Sequence, residues 1–192
     1  MAMRTVRLFL AINLPASERR AIRDATSPMR DAARDVSWVT EDRLHLTLKF
    51  LGEQPEQAIE PLREALLDVA ARAPATRLEL AGLGAFPNLR DPRVVWLGVG
   101  RDPKLELLHH DIESACAALG HEVDGRAFRP HITLGRVRGR LSGETARALS
   151  DAARRVEYSS AVDATSFEVM SSRLTPSGPN YSVIATIPLR GT

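Results

Sequence analysis

The chain has 192 residues, of which 44% are hydrophobic and 26% charged, and its net charge at pH 7 is only +2. This composition excludes a disordered chain and a strongly basic nucleic-acid coat, and it leaves room for a local basic cleft. The single cysteine, Cys116, excludes an internal disulfide framework and favours a reducing compartment. Because it lies in an apolar helical pattern, we expect Cys116 to be a core residue.

Targeting signals are weak in this sequence. The apolar run at 6–14 contains Arg7 and Asn13 and lacks a cleavage pattern, so a first strand is favoured over a signal peptide. No apolar run approaches the roughly 20 residues that a membrane span needs. We therefore expect a soluble, cytoplasmic protein that does not engage a membrane.

Hydrophobic periodicity predicts strands and helices in alternation along the first half of the chain. Strands are expected at 6–14, 36–39 and 44–51, and helices at 16–34 and 55–72. Pro28 should kink or divide the first helix, and Pro61 fits the second helix only in its first turn.

The second half repeats this arrangement. Strands are expected at 77–83, 93–99, 129–137, 166–171 and 181–189, the last two joined by a loop at 174–180. One helix should end before Gly120, and another should begin after Ser142, a residue type that caps helices. The repeat predicts a single α+β domain over 1–192, built from two similar lobes related by a pseudo-two-fold axis.

The stretch RPHITLG places polar and apolar side chains on opposite faces of a strand. Arg129, His131 and Thr133 share one face, and Ile132 and Leu134 share the other, because successive side chains alternate. Alone, this pattern favours a half-buried strand with a polar outer face.

A second strand has the same pattern. Its polar face carries Arg43, His45, Thr47 and Lys49, and its other face carries Leu44, Leu46, Leu48 and Phe50. Each His-x-Thr-Leu unit follows an arginine two residues earlier. Two copies in like surroundings indicate a functional pair.

Facing lobes would bring His45 and His131 to opposite sides of one reacting atom. Histidine exchanges protons near neutral pH, so two of them can serve as acid and base in an in-line displacement at phosphorus. Thr47 and Thr133 could donate hydrogen bonds to the non-bridging phosphate oxygens. Arg129, Arg43 and Lys49 are candidates for charge-assisted contacts with the phosphate.

A metal site is the weaker interpretation. Two histidines on distant strands lack carboxylate or thiolate partners, and His109, His110 and His121 are not spaced as ligands. His109 and His110 point in different directions on a helix, which favours exposed roles for these two. The sequence also has no Walker loop, dinucleotide-binding glycine pattern or nucleophile elbow. We therefore expect no metal and no cofactor.

The two motifs and several segments around them match a known family, at 7–12, 44–52, 84–87, 92–98, 128–134 and 172–181. In these segments the chain resembles the two-histidine phosphoesterases, and within them the bacterial and archaeal RNA 2′,3′-cyclic phosphodiesterases, also called 2′-5′ RNA ligases. The resemblance implies a bilobal α+β fold of mainly antiparallel sheet with outer helices and an active-site cleft between the lobes. It also implies hydrolysis of a terminal 2′,3′-cyclic phosphate to a 2′-phosphate, with His45 as proton donor to the leaving oxygen and His131 as the base that activates water.

Substrate contacts and alternatives stay open at this stage. Phe9 could stack a base or belong to the core, and Tyr181 follows a loop that resembles a cleft rim. The expected partner is an RNA end with a 2′,3′-cyclic phosphate, or a nucleotide, bound by a monomer. The alternatives are a non-catalytic nucleotide or RNA-end binding module and a phosphodiesterase acting on a small cyclic nucleotide. The direction that matters in the cell, hydrolysis or ligation, is not readable from the residues.

Overall fold

Nine strands and five α-helices form within the described residues, 4–175 and 178–191 of this computed structural model. The strands are β1 (Thr5–Asn13), β2 (Val36–Trp38), β3 (His45–Pro55), β4 (Thr76–Phe86), β5 (Val94–Val99), β6 (His131–Val137), β7 (Ser159–Ala164), β8 (Ser166–Thr175) and β9 (Gly178–Pro188). The helices are α1 (Ala16–Ala25), α2 (Ser27–Ala32), α3 (Ile59–Ala70), α4 (Pro103–Ala118) and α5 (Gly143–Arg155).

Local signals in the sequence determine where several helices begin and end. The predicted first helix is divided into α1 and α2 at Thr26, with Pro28 in the first turn of α2, which confirms the prediction. Pro61 lies in the first turn of α3, as expected. The Ser142 hydroxyl caps α5 by accepting a hydrogen bond from the backbone N–H of Thr145 at 3.0 Å.

Two local predictions are wrong. Strand β7 was missed because serine, alanine and aspartate are poor strand formers, and it forms a strand by pairing antiparallel with β4. The predicted loop at 174–180 is shorter in the structure, because β8 extends to Thr175 and β9 begins at Gly178. Its residues 176 and 177 lie outside the described residues.

The described strands form a single sheet. The two lobes expected from the sequence correspond to the two halves of this sheet. The order is β7-β4-β5-β6-β3-β1-β8-β9, with β2 added on β6, and every strand pair is antiparallel. Three strands lie beyond β6 on one side, and three lie beyond β3 on the other. This curled antiparallel sheet with a few helices confirms the predicted fold class.

The main core lies between the sheet and its helices. Helices α3 and α4 pack together behind β3 and β9, and α2 packs on α5, which contacts β4. Leu46 and Ile132, at the centre of the sheet, are fully buried in this core. Cys116 is buried as well, and burial raises the pKa of its thiol to about 11, which confirms the expected core role. No helix among the described residues has an apolar stretch long enough to cross a membrane.

Candidate active site

The two His-x-Thr strands lie side by side at the middle of the sheet. Strands β3 and β6 pair antiparallel through Leu46 and Ile132, whose side chains enter the core. This register puts His45 beside Thr133 and Thr47 beside His131. All four side chains lie on the face of the sheet opposite to Leu46 and Ile132. The four predicted catalytic side chains therefore belong to one small area of the surface.

Both imidazoles are held in the same way. The Nδ1 atom of His45 lies 2.7 Å from the carbonyl oxygen of Arg43, and Nδ1 of His131 lies 2.6 Å from that of Arg129. A carbonyl oxygen only accepts, so each Nδ1 carries a proton and donates it. Each Nε2 is then left to exchange a proton with a substrate: it accepts in the neutral ring and donates in the charged one.

The surroundings of both histidines favour the neutral ring. Burial lowers the pKa of His45 below its ordinary value of 6.5, the hydrogen bond to the Arg43 carbonyl opposes this, and the positive charge of Arg136 lowers the pKa further. The same three causes act on His131, with the Arg129 carbonyl as its partner. A bound phosphate would add negative charge and raise both pKa values.

A β-bulge follows each motif and changes which side chains face the cleft. Along β1, Ala11 pairs with Thr47 and Leu10 with Lys49, which leaves Leu48 as the extra residue. Along β5, Trp96 pairs with Thr133 and Val95 with Gly135, which leaves Leu134 as the extra residue. Beyond each bulge the strict alternation expected from the sequence is inverted.

The bulge in β3 makes the predicted phosphate contact of Lys49 wrong. Its ammonium is buried and donates to the Glu113 carboxylate at 2.7 Å and to the Glu122 carbonyl at 2.8 Å, on the helix side of the sheet. Phe50, which strict alternation placed in the core, is 64% exposed and lines the cleft.

The bulge in β6 brings to the site an arginine that strict alternation does not predict there. Arg136 lines the cleft, and its charge acts on both His45 and His131. Alternation assigned Arg136 to the buried face of Ile132 and Leu134. That placement was itself a signal, because arginine is almost never buried without a partner.

Aromatic rings pack against each histidine. Phe9 and Tyr181 lie 5.2 and 5.5 Å from the His45 ring, measured between ring centroids. Phe9 is only 3% exposed and packs in a small cluster with Ala11, Met170 and Tyr181, apart from the main core. Because it also lines the cavity, stacking on a base stays a prediction. On the other half, Phe86 stands edge-on to His131 at 5.0 Å and contacts Trp96 at 5.3 Å.

A cavity of about 400 Å³ opens in front of this surface. It is lined by Arg7, Leu8, Phe9, Val39, Arg43, His45, Thr47, Phe50, Thr133, Arg136, Ser172, Leu174, Pro179 and Tyr181. Within the described part of the chain, this lining holds three arginines and no carboxylate. An electropositive cavity of this kind fits an anionic ligand.

The two arginines predicted beside the motifs differ in position. Arg43 lines the cavity and lies so close to Gly178 that a Cβ added there would be 2.8 Å from its Nη1 atom. Arg129 is exposed and, like His131, is not part of the cavity lining; its carbonyl oxygen accepts a hydrogen bond from His131 Nδ1. A contact of its side chain with substrate stays a prediction.

Metal-ligating side chains do not cluster in the described residues, where no three of His, Cys, Asp and Glu come together. The expectation that His109 is exposed is wrong, because its ring stacks on Phe128 at 3.9 Å and lies 3.8 Å from the Glu113 carboxylate. His110 is exposed, as expected.

Comparison with known proteins gives consistent matches. The model of the 2′-5′ RNA ligase superfamily matches residues 14–175. The RNA 2′,3′-cyclic phosphodiesterase of Geobacillus stearothermophilus is 34% identical over 98% of this chain, which spans 59% of that relative's length. The protein of the same name from Thermotoga maritima is 31% identical, with 93% of both chains covered. The crystal structure of E. coli LigT complexed with 3′-AMP is 29% identical and superposes with a TM-score of 0.74, covering 97% of this chain and 99% of LigT.

Proposed function

Because the chain belongs to the 2′-5′ RNA ligase superfamily, we propose that it is an RNA 2′,3′-cyclic phosphodiesterase, which opens a terminal cyclic phosphate to a 2′-phosphate. The observation that carries the proposal is the central pair of strands. Two imidazoles, each fixed through Nδ1 by a backbone carbonyl, lie with two threonine hydroxyls on one face of the paired strands, and His45 and both threonines line the electropositive cavity.

The proposed reaction is an in-line displacement at phosphorus. Neutral His131 accepts a proton from water at Nε2 while the water oxygen bonds to phosphorus. The bond from phosphorus to the 3′ oxygen breaks, and protonated His45 donates its Nε2 proton to that oxygen. The 2′ oxygen keeps the phosphate, and the two rings return to their starting states by exchanging protons with solvent.

The remaining groups of the site stabilise the charge on the phosphate. The hydroxyls of Thr47 and Thr133 donate hydrogen bonds to the two non-bridging oxygens, and Arg136 adds a positive charge between the two halves. Arg43 extends the positive surface at the cavity wall.

Names and ligands of relatives support the substrate class. The Geobacillus and Thermotoga relatives are named for the same cyclic phosphodiesterase activity, and E. coli LigT was crystallised with 3′-AMP, a nucleotide with a 3′-terminal phosphate. Ligation follows from the same chemistry when a 5′ hydroxyl replaces water as the nucleophile, since the product is then a 2′-5′ linkage. We propose ligation as a secondary activity.

The test is turnover of an oligonucleotide ending in a 2′,3′-cyclic phosphate, with excess chelator present. We expect a 2′-phosphorylated product from the wild-type protein and a severe loss of turnover in His131→Ala. Activity that disappears with chelator and returns with zinc would contradict the acid–base mechanism.

The same assay separates the alternatives. A binding module would bind the oligonucleotide without turning it over, even as wild type. A phosphodiesterase for small cyclic nucleotides would prefer those substrates when they are assayed side by side with the oligonucleotide. Monomeric state and cytoplasmic location stay predictions from the sequence.

A further inference from the structure

One end of the cavity carries a cation that the proposed chemistry does not use. Arg7 lies two residues before Phe9 on β1, on the same face, about 6.8 Å further along the strand. Phe9 contacts the His45 ring. Asn13 pairs with His45 across β1 and β3, so Arg7 lies on the other side of Phe9 from this pair. Arg7 also lines the cavity.

A row of polar side chains continues from Arg7 across the sheet. Arg7 pairs with Ser172 on β8, and Ser172 pairs with Tyr181 on β9, so these three side chains share the cleft face. All three line the cavity. The Tyr181 ring reaches back to His45 at 5.5 Å, which joins this row to the catalytic pair.

The side chains of Arg7 and Ser172 are available to a ligand. Among the described residues, neither has a hydrogen bond or an ion pair through its side chain, although Glu53 lies opposite Arg7 on β3. Arg7 is exposed, and Ser172 is half-buried. An arginine and a hydroxyl side by side match the charge and the oxygen acceptors of a phosphodiester.

The cavity is larger and more positive than one cyclic phosphate requires. That phosphate has a single negative charge, whereas three arginines line the described part of the cavity. A volume of about 400 Å³ lies in the range of sites that hold a nucleotide-sized ligand. Tyr181 and the exposed ring of Phe50 also line this cavity and present aromatic surface that a terminal nucleoside could contact.

We propose that Arg7 and Ser172 form a subsite for the internucleotide phosphate on the 5′ side of the terminal nucleotide. This subsite rests on the proposed function, because it presumes that the terminal phosphate lies between His45 and His131. It makes the enzyme selective for RNA chains over mononucleotides, since a mononucleoside 2′,3′-cyclic phosphate has no group to place there.

The test compares substrates with and without that phosphate. The substrates are a mononucleoside 2′,3′-cyclic phosphate, a dinucleotide ending in the same cyclic phosphate, and a dinucleotide whose internal linkage is a neutral methylphosphonate. The variants are wild type, Arg7→Gln and the control Arg173→Gln. Arg173 is also exposed and lies on β8, on the face opposite Ser172. Its substitution by glutamine removes the same charge as Arg7→Gln does.

We expect Arg7→Gln to lower kcat/KM for the charged dinucleotide about tenfold or more, the size typical of a lost hydrogen-bonded ion contact. Turnover of the mononucleotide and of the methylphosphonate should stay at the wild-type level, and Arg173→Gln should match wild type on all three. An equal loss on all substrates, or no loss on the charged dinucleotide, would overturn the subsite.

Binding measurements keep the subsite separate from the proposed function. Dissociation constants for a 3′-phosphorylated dinucleotide and for a 3′-mononucleotide need no turnover. If wild type hydrolyses neither cyclic phosphate, the proposed function fails. The subsite then stands only if wild type binds the dinucleotide more tightly and Arg7→Gln removes that difference.

Discussion

The half of the sheet around His45 and the half around His131 have the same backbone register but different side chains beyond the bulge. In both, the motif residues alternate between half-buried and buried up to the leucine that bulges, and the next residue is buried as well. That buried residue is Lys49 in one half and Gly135 in the other. The following residue faces the cleft and is Phe50 or Arg136.

This difference separates what the two halves share from what each supplies. The shared register fixes two imidazoles through carbonyl oxygens, which produces a symmetric pair. The first cleft-facing side chain after the bulge is the aromatic Phe50 in the half around His45 and the cationic Arg136 in the half around His131. The backbone of the two halves is therefore symmetric, whereas the side chains that line the cleft are not.

The largest effect is expected from removing either histidine. His45→Ala and His131→Ala should each lower kcat about 10²–10⁴-fold, because each removes one of the two proton transfers. Steady-state rates on a cyclic-phosphate oligonucleotide measure this, and an unchanged melting temperature shows that the variant is folded. Near-normal turnover in a variant of either histidine would contradict the proposal that each half supplies one of the two proton transfers.

The buried residues after the bulges should differ in their effect on stability. Lys49→Met removes the cationic partner of the buried Glu113 carboxylate and should lower the free energy of unfolding by about 3–5 kcal/mol. Gly135→Ala should cost about 1–3 kcal/mol, because the added Cβ would lie 2.6 Å from Val36 Cγ1.

Urea denaturation measures both changes. The control for Lys49 is the double variant Lys49→Met with Glu113→Gln, which should recover part of the loss. If Lys49→Met alone is as stable as wild type, the ion pair does not anchor β3 to α4.

Arg136, which lies in the half around His131, should affect both His45 and His131. Arg136→Gln should lower kcat/KM about 10–100-fold through the lost phosphate contact. In wild type, the base loses activity as pH falls through its pKa, and the acid loses activity as pH rises through its own. Burial and the Arg136 charge lower both pKa values in the free protein, so the maximum of kcat/KM should lie on the acidic side of the range that unperturbed histidines would give.

Removing the Arg136 charge raises both pKa values, so both limbs of the profile should move to higher pH. The limbs describe the coupled pair of histidines. The exposed Arg138, which lies beyond the end of β6, provides the control Arg138→Gln. Limbs that stay in place in Arg136→Gln would show that its charge does not reach the histidines.

The smallest and most symmetric effects should come from the threonines. Thr47→Val and Thr133→Val each remove one hydroxyl donor and should each lower kcat/KM about tenfold. Equal losses support one phosphate oxygen per half. A large loss in one variant and none in the other would show that only one half holds the phosphate.

Much of the site follows from the sequence, because both motifs lie in strands before any irregularity. His45 and Thr47 share one face of their strand, and His131 and Thr133 share one face of theirs, as alternation predicts. Alternation did not predict that the two strands would pair side by side in one sheet. The residues placed wrongly lie beyond the bulges, which backbone pairing creates and local alternation does not encode. Gly135 was a signal, since a glycine within a strand often marks a bulge, but Lys49 and Phe50 fitted the wrong face equally well.

The fold shows the same limit. Helix boundaries at Thr26 and Ser142 follow from local chemistry, whereas β7 becomes a strand only through pairing with β4. The burial of Lys49 likewise depends on Glu113, which is distant in the sequence but lies on α4 behind β3.

The assignment of acid and base to the two halves is tested most directly by changing the leaving group. The substrate for this test is a cyclic phosphorothiolate with sulfur in place of the 3′ oxygen. Its 3′ sulfur leaves as a thiolate, which needs no proton donor at neutral pH because thiols have a pKa of about 8.5. On this substrate we predict that His45→Ala regains a rate close to wild type, while His131→Ala stays as slow as on the oxygen substrate. Recovery of His131→Ala, or equal losses of both variants on both substrates, would contradict the account.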